Sequence, residues 1–132
     1  MERGVYLDSS ALVKLIVEEP ESRALGRWLS AWPQRLASAI ARVELMRAVL
    51  AATDEARSLA EAVLDKLNLI AVDDDVLFRA ARVQPPGLRT IDAIHLASAL
   101  SVEGVGAFVT YDLMLADAAR GVGFEVYSPA AG

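Results

Sequence analysis

The chain has no cysteine and a single histidine, His95, among its 132 residues. These two scarcities exclude disulfides, thiolate zinc sites, iron–sulfur clusters, cysteine nucleophiles and any multi-histidine metal site within one chain. A metal, if one is used, must be held mainly by oxygen, which points to magnesium, manganese or calcium. Long apolar runs are also missing. None approaches the ~20 residues that a membrane helix needs, and Met1-Glu2-Arg3-Gly4 leads into a strand rather than into a signal-peptide core. A cytoplasmic protein with no membrane association is therefore expected. Nor is there an excess of positive charge: 13 Lys and Arg stand against 18 Asp and Glu, a formal net charge of -5. That balance argues against a passive nucleic-acid binder, which would carry a basic face. It leaves room for an enzyme whose bound cations reshape the local field. The sequence contains no internal repeat, low-complexity stretch or domain boundary.

Apolar residues make up 55% of the chain, enough for one compact domain over residues 1–132. A chain of this length buries about two thirds of the surface that its unfolded form exposes. Val5-Tyr6-Leu7 reads as a strand buried on both faces, ending on Asp8. A helix is expected from Ser10 to Val17, with Ser9 or Ser10 available as its cap, and a second over Glu21–Ala31 after the break at Pro20. Residues 34–38 carry a weak strand signal. Ser38 is then placed to cap a long helix running to Leu50, and a further helix through Leu59 and Leu67 completes a hairpin. Leu69-Ile70-Ala71-Val72 reads as a buried strand. Asp73-Asp74-Asp75 read as the start of a helix, because successive acids there complement its dipole and their side chains diverge. After Pro85-Pro86-Gly87, a helix over Thr90–Leu100, a strand over Ala107–Thr110, a helix over Leu113–Arg120 and an edge strand over Phe124–Tyr127 follow. The tail from Ser128 is expected to be loose. The order predicts a three-layer α/β/α sandwich around a mainly parallel sheet of about five strands.

Asp8 and Asp112 each follow an expected strand, and Asp92 falls in the first turn of an expected helix. In open α/β sheets, ligands bind at the carboxyl ends of strands, so these three acids can share one site. Taken alone, Asp8 and Asp92 also suit a cap and a helix dipole. Glu44 lies inside a helix between Val43 and Leu45, where capping does not account for it. It needs either a shared site or an ion pair with Arg47 or Arg42. Carboxylates gathered in a cleft repel one another unless divalent cations hold them ionised.

Four stretches, taken together and in this order, resemble the PIN domains and, among them, the VapC toxins, the ribonuclease halves of type II toxin-antitoxin pairs. They are Tyr6-Leu7-Asp8-Ser9-Ser10-Ala11-Leu12, Ala41-Arg42-Val43-Glu44-Leu45, Leu88-Arg89-Thr90-Ile91-Asp92-Ala93-Ile94-His95-Leu96-Ala97, and Phe108-Val109-Thr110-Tyr111-Asp112. The resemblance implies an acidic site of Asp8, Glu44, Asp92 and Asp112, with Ser9 and Thr110 as supporting hydroxyls. It also implies an Mg2+- or Mn2+-dependent endoribonuclease with one ion or two: one ion would activate water for attack on phosphorus, and a second, ~4 Å away if present, would stabilise the leaving oxygen. Asp8, Asp92 and Asp112 would hold metal, and Glu44 would ligate or position the nucleophile. Lys14, Arg42, Arg47 and Arg89 are candidates for RNA phosphate. Asp117, between one and two turns beyond Asp112, is expected to face solvent. His95, one turn after Asp92, is expected to pack or to make a supporting hydrogen bond rather than act as a general base. The implied partners are RNA, a VapB-like antitoxin that occludes the cleft, and a second copy in a homodimer. Two other readings stay open: a catalytically silent PIN-like module for protein or RNA binding, and a phosphoaspartyl phosphatase or phosphoreceiver, which also places Asp after its first strand.

Overall fold

The apolar run after Arg3 forms strand β1, Gly4–Leu7, buried along its whole length. Side chains alternate across a strand. Val5 and Leu7 therefore join one apolar cluster and Tyr6 the other. The computed structural model describes residues 3–130. Beyond β1 the elements are α1 (Ser9–Val13), α2 (Ser22–Leu29), β2 (Arg35–Ser38), α3 (Ala41–Ala48), α4 (Asp54–Asp65), β3 (Asn68–Ile70), α5 (Asp74–Ala80), α6 (Thr90–Leu100), β4 (Val105–Val109), α7 (Leu113–Gly121) and β5 (Val126–Tyr127). Among the described residues the sheet has five strands in the order β3-β2-β1-β4-β5, and every pairing is parallel. Leu12, Leu25, Leu29 and Leu45 cover one face, and Leu96, Ala99, Leu115 and Ala119 cover the other. This is the expected three-layer sandwich.

The chain lays β1, β2 and β3 outward in one direction, then returns to place β4 on the free side of β1. The strand order reverses between β1 and β4, and the crevice outside their carboxyl ends is where such sheets bind ligands. Leu7 pairs with Val109, which sets Asp8 beside Thr110. The order differs from the 2-1-3-4-5 arrangement of phosphoreceivers, so the phosphoreceiver reading fails on topology. Among the described residues, no helix is long and apolar enough to cross a membrane.

Several local expectations are corrected. The helix expected from Ser10 to Val17 stops at Val13 and continues as i→i+3 turns through Lys14, Leu15 and Ile16. Its cap is Asp8 itself, whose side chain accepts from the Ala11 N–H, rather than Ser9 or Ser10. Ser38 ends β2 and does not cap α3, whose cap position is Ile40 with no side-chain bond. The weak segment at residues 34–38 is an interior strand, because pairing on both sides outweighs the modest propensity of Arg-Leu-Ala-Ser. The strand expected at Leu69–Val72 spans Asn68–Ile70 instead and is a partly exposed edge, paired only with β2. The tail expected to be loose is tethered through Pro129. Ser128 Oγ donates to the Thr110 carbonyl, and Tyr111 Oη donates to the Pro129 carbonyl, each at 2.5 Å.

Candidate active site

Asp8 is fixed by the backbone that makes it a cap. Its Oδ1 accepts from the Ala11 N–H at 3.0 Å and the Ser10 hydroxyl at 2.7 Å, and its Oδ2 accepts from the Thr110 hydroxyl at 2.6 Å. The residue is only 2% exposed. Burial pushes its carboxyl above the ordinary carboxylate range, against the opposing pull of the Thr110 and Ser10 hydroxyls. Thr110 Oγ1 also accepts from the Asp112 N–H at 3.1 Å, so one hydroxyl ties together the acids that follow β1 and β4. Asp112 caps α7 through the Leu115 N–H at 2.8 Å. Its side chain remains partly exposed.

Asp92 reaches the same edge from the first turn of α6 and is 4% exposed. Arg89, at the cap position of that helix, donates from Nε to Asp92 Oδ2 at 2.9 Å and brings Nη2 to 3.5 Å from Asp112 Oδ2. The bond to Asp92, and then the charges of Asp92, Asp112 and Asp8, push the Arg89 guanidinium above its ordinary range. Asp92 and Asp112 thus share one cation, and Thr110 ties Asp8 to the Asp112 backbone beside them. Among the described residues, no three acids or histidines stand close enough together to hold a metal ion as they are. The donor set is nonetheless all carboxylate and hydroxyl, which suits a hard divalent cation. The guanidinium between Asp92 and Asp112 shows that positive charge is accepted there, and its side chain is 69% exposed.

Glu44 is partly buried and binds neither Arg42 nor Arg47. Its Oε1 lies 2.7 Å from His95 Nε2, and His95 Nδ1 lies 2.8 Å from Tyr6 Oη. With Ser9, Ser10, Val13, Lys14 and Glu19, Glu44 lines a shallow hollow beside Asp8. The support expected from Ser9 comes from its neighbour: Ser10 Oγ donates to Asp8 and accepts from the Tyr111 N–H at 3.0 Å, while Ser9 lines the hollow. Lys14 lines the same hollow, where its amine bonds to Glu21 at 2.9 Å, lies 3.5 Å from Glu19 and covers the Tyr111 ring. Arg42 and Arg47 are exposed on α3 and, among the described residues, make no ion pair. Asp117 faces solvent as expected, paired with Arg120. Asp73 caps α5 through the Val76 N–H.

Sequence reasoning missed two participants, Tyr6 and Ser10. Tyr6 carried a signal, since a hydroxyl in an otherwise aliphatic buried strand must find a partner.

A family model described as PIN domain matches residues 5–121. Ribonuclease VapC46 of Mycobacterium tuberculosis is 48% identical over 128 residues, covering 96% of this chain and 98% of that protein. Ribonuclease VapC47 of the same species is 40% identical over 137 residues, with 96% and 98% covered. A chain in a toxin-antitoxin complex from Klebsiella pneumoniae superposes with a TM-score of 0.76 at 24% identity, covering 98% of this chain and all of that one. A chain of VapBC2 from Rickettsia felis, solved with a DNA fragment from their promoter, gives 0.67 at 14% identity, with 95% and 98% covered. At such identities the structural likeness speaks for the fold.

Proposed function

The chain belongs to the PIN domain family, and on that premise we propose that it is the endoribonuclease toxin of a type II toxin-antitoxin pair, dependent on Mg2+ or Mn2+. The observation that carries this reading is that Asp92 and Asp112 reach one cation, with Asp8 tied to the Asp112 backbone through Thr110, at the crevice where the strand order reverses. Asp8, Asp92 and Asp112 would hold the ion, with Glu44 as a further ligand or as the group that orients water. When bound, a divalent ion supplies Lewis acidity toward the scissile phosphate and a more acidic water.

The protein's own residues do the rest. Ser10, Ala11 and Thr110 hold the Asp8 carboxylate in one orientation, so no reorganisation is needed when charge arrives. Arg89 neutralises the acids in the free protein and is exposed enough to swing toward a phosphate. Arg42 and Arg47, on the helix that carries Glu44, offer unpaired charge to the RNA backbone. An acidic protein needs such local cations to bring a polyanion to a carboxylate site.

A small VapB-like antitoxin is the expected inhibitor, and a second copy of the chain the expected partner. Arg89 illustrates how inhibition can work: a guanidinium from the antitoxin would bind the same carboxylates bidentately in place of metal charge. The test is cleavage of RNA by the antitoxin-free protein. Cleavage with Mg2+ or Mn2+, its loss in excess chelator and its loss in a folded Asp8→Asn variant are expected. Equal cleavage in chelator refutes the metal dependence. A protein that cuts no RNA under any condition leaves only the binding-module reading.

A further inference from the structure

Three of the site's acids, Asp8, Glu44 and Asp92, stand just after β1, on α3 and on α6, and a hydrogen-bonded chain joins these elements. Tyr6 lies on β1, two residues before Asp8; its hydroxyl accepts from the Ser38 N–H at 3.2 Å and lies 2.8 Å from His95 Nδ1. His95 lies on α6, one turn after Asp92, and its Nε2 reaches Glu44 Oε1 on α3 at 2.7 Å across 51 residues of sequence. Tyr6 and His95 are both fully buried, and Tyr6 is stacked on Phe108. The mechanism above assigns neither a part.

The donors and acceptors give the chain a direction. The Ser38 N–H can only donate and occupies one lone pair of the Tyr6 hydroxyl, which still has its hydrogen to give to His95 Nδ1 or a second lone pair to accept from it, so the direction is set at the Glu44 end. A neutral imidazole that accepts at Nδ1 carries its hydrogen on Nε2, where it meets the Glu44 carboxylate. Every link is then satisfied with Glu44 ionised. The opposite neutral tautomer would set a bare nitrogen lone pair against a carboxylate oxygen.

Glu44 depends on this contact. It has no ion pair with a neighbour on its own helix, the cap position of α3 makes no side-chain bond, and Val43 beside it is 57% exposed. Among the described residues, His95 is the partner that holds the Glu44 side chain.

We infer that His95 is a positioning residue for the ribonuclease site: braced by Tyr6 from the central strand, it fixes the Glu44 carboxylate through Oε1 and leaves the other oxygen to work on water or metal. The inference rests on the ribonuclease reading above. It makes β1, α6 and α3 one frame, so that Asp8, Asp92 and Glu44 keep their mutual placement.

Two measurements test it. Because His95 is the sole histidine, long-range nitrogen–proton NMR of the metal-free full-length chain near neutral pH reads its tautomer without ambiguity. A single Nε2–H tautomer is expected in the wild type, with loss of that preference in Tyr6→Phe and Glu44→Gln. Removing a partner of this kind typically lowers activity about 10- to 100-fold. In steady-state RNA cleavage, His95→Leu and Tyr6→Phe are expected to lose kcat on that scale while KM stays nearly constant. His95→Gln, whose amide can place an N–H where Nε2 stands, is expected to recover most of the loss. The double variant His95→Leu/Glu44→Gln should be no slower than Glu44→Gln alone, because His95 acts through Glu44. If His95→Leu does not fold, Tyr6→Phe carries the kinetic test, since Phe keeps the ring packing. An Nδ1–H or averaged imidazole in the wild type overturns the inference. So does wild-type kcat in a folded Tyr6→Phe or His95→Leu, or strict additivity in the double variant. A wild-type chain that cuts no RNA with either cation fails the ribonuclease reading itself and takes the positioning role with it, whatever the tautomer.

Discussion

Replacing Arg89 by glutamine should make the protein bind divalent metal more tightly. Arg89 donates to Asp92 Oδ2 at 2.9 Å and lies 3.5 Å from Asp112, so an ion that uses those oxygens must first displace it. The size of the effect follows from exposure. The Arg89 side chain is 69% exposed, and ion pairs of that kind are worth about 0.2–1 kcal/mol. As a competing equilibrium, that corresponds to a pairing constant between about 1.4 and 5, and so to metal binding weakened about two- to six-fold. Loss of a full positive charge beside Asp8, Asp92 and Asp112 acts in the same direction and is screened by salt. Calorimetric titration of wild type and Arg89→Gln with Mn2+, at one fixed ionic strength, reads the difference. The variant should show at least about a two-fold lower Kd, narrowing as salt is raised. An unchanged or higher Kd would refute the idea that Arg89 stands where the ion must go.

Asp8→Asn should stabilise the metal-free protein at neutral pH even as it abolishes cleavage. Burial raises the folded-state pKa of Asp8 above its ordinary value of 3.8. Its contribution to stability is therefore complete below that value and is lost as pH rises through the raised folded-state pKa. Asparagine caps α1 as well as aspartate does and never ionises, so denaturant melts should show the variant gaining on wild type from about pH 4 to pH 7, and a constant difference would contradict the burial argument. Thr110→Val removes the hydroxyl that joins Asp8 to the Asp112 backbone at a fully buried position. A loss of about 1.5–3 kcal/mol in equilibrium unfolding is expected for a bond to a charged group, together with weaker Mn2+ binding; a loss below about 0.5 kcal/mol would show that neighbours replace it.

The layers and the site edge were legible in the sequence for a definite reason. Val5-Tyr6-Leu7 and Ala107-Phe108-Val109 are apolar on both faces, which only a sheet covered by helices on both sides requires. An acid or hydroxyl directly after such a strand has nowhere to go but the carboxyl edge. Asp8 and Asp112 proved to be helix caps at that edge, so the two roles weighed for Asp8 are compatible: the backbone that caps the helix also aims the carboxylate. β2 was underrated because Arg35-Leu36-Ala37-Ser38 gains its place from two neighbouring strands that lie far away in sequence. β3 was overrated because an apolar run does not reveal whether it lies inside or at the edge of a sheet.

The long-range side-chain contacts were the least readable. Nothing local links Glu44 to His95, and the nearby arginines offered a cheaper partner by helical spacing. The Lys14 amine meets Glu19 and Glu21 across a turn that the sequence alone does not shape. Ser9 and Ser10 are adjacent and chemically identical. Only the register of β1 against β4 decides that Ser10 reaches both Asp8 and the Tyr111 N–H.

The central claim is that Asp8, Asp92 and Asp112 form a divalent-metal site at the crevice between β1 and β4. Paramagnetic broadening by substoichiometric Mn2+ in amide NMR spectra of the full-length, antitoxin-free chain tests it most directly. Amides of Ser9, Ala93, Tyr111 and Leu113 should fade first, and an equal addition to Asp8→Asn should leave them sharp. Broadening centred elsewhere, such as on the Asp73–Asp75 turn, or no broadening at this edge, would contradict the account.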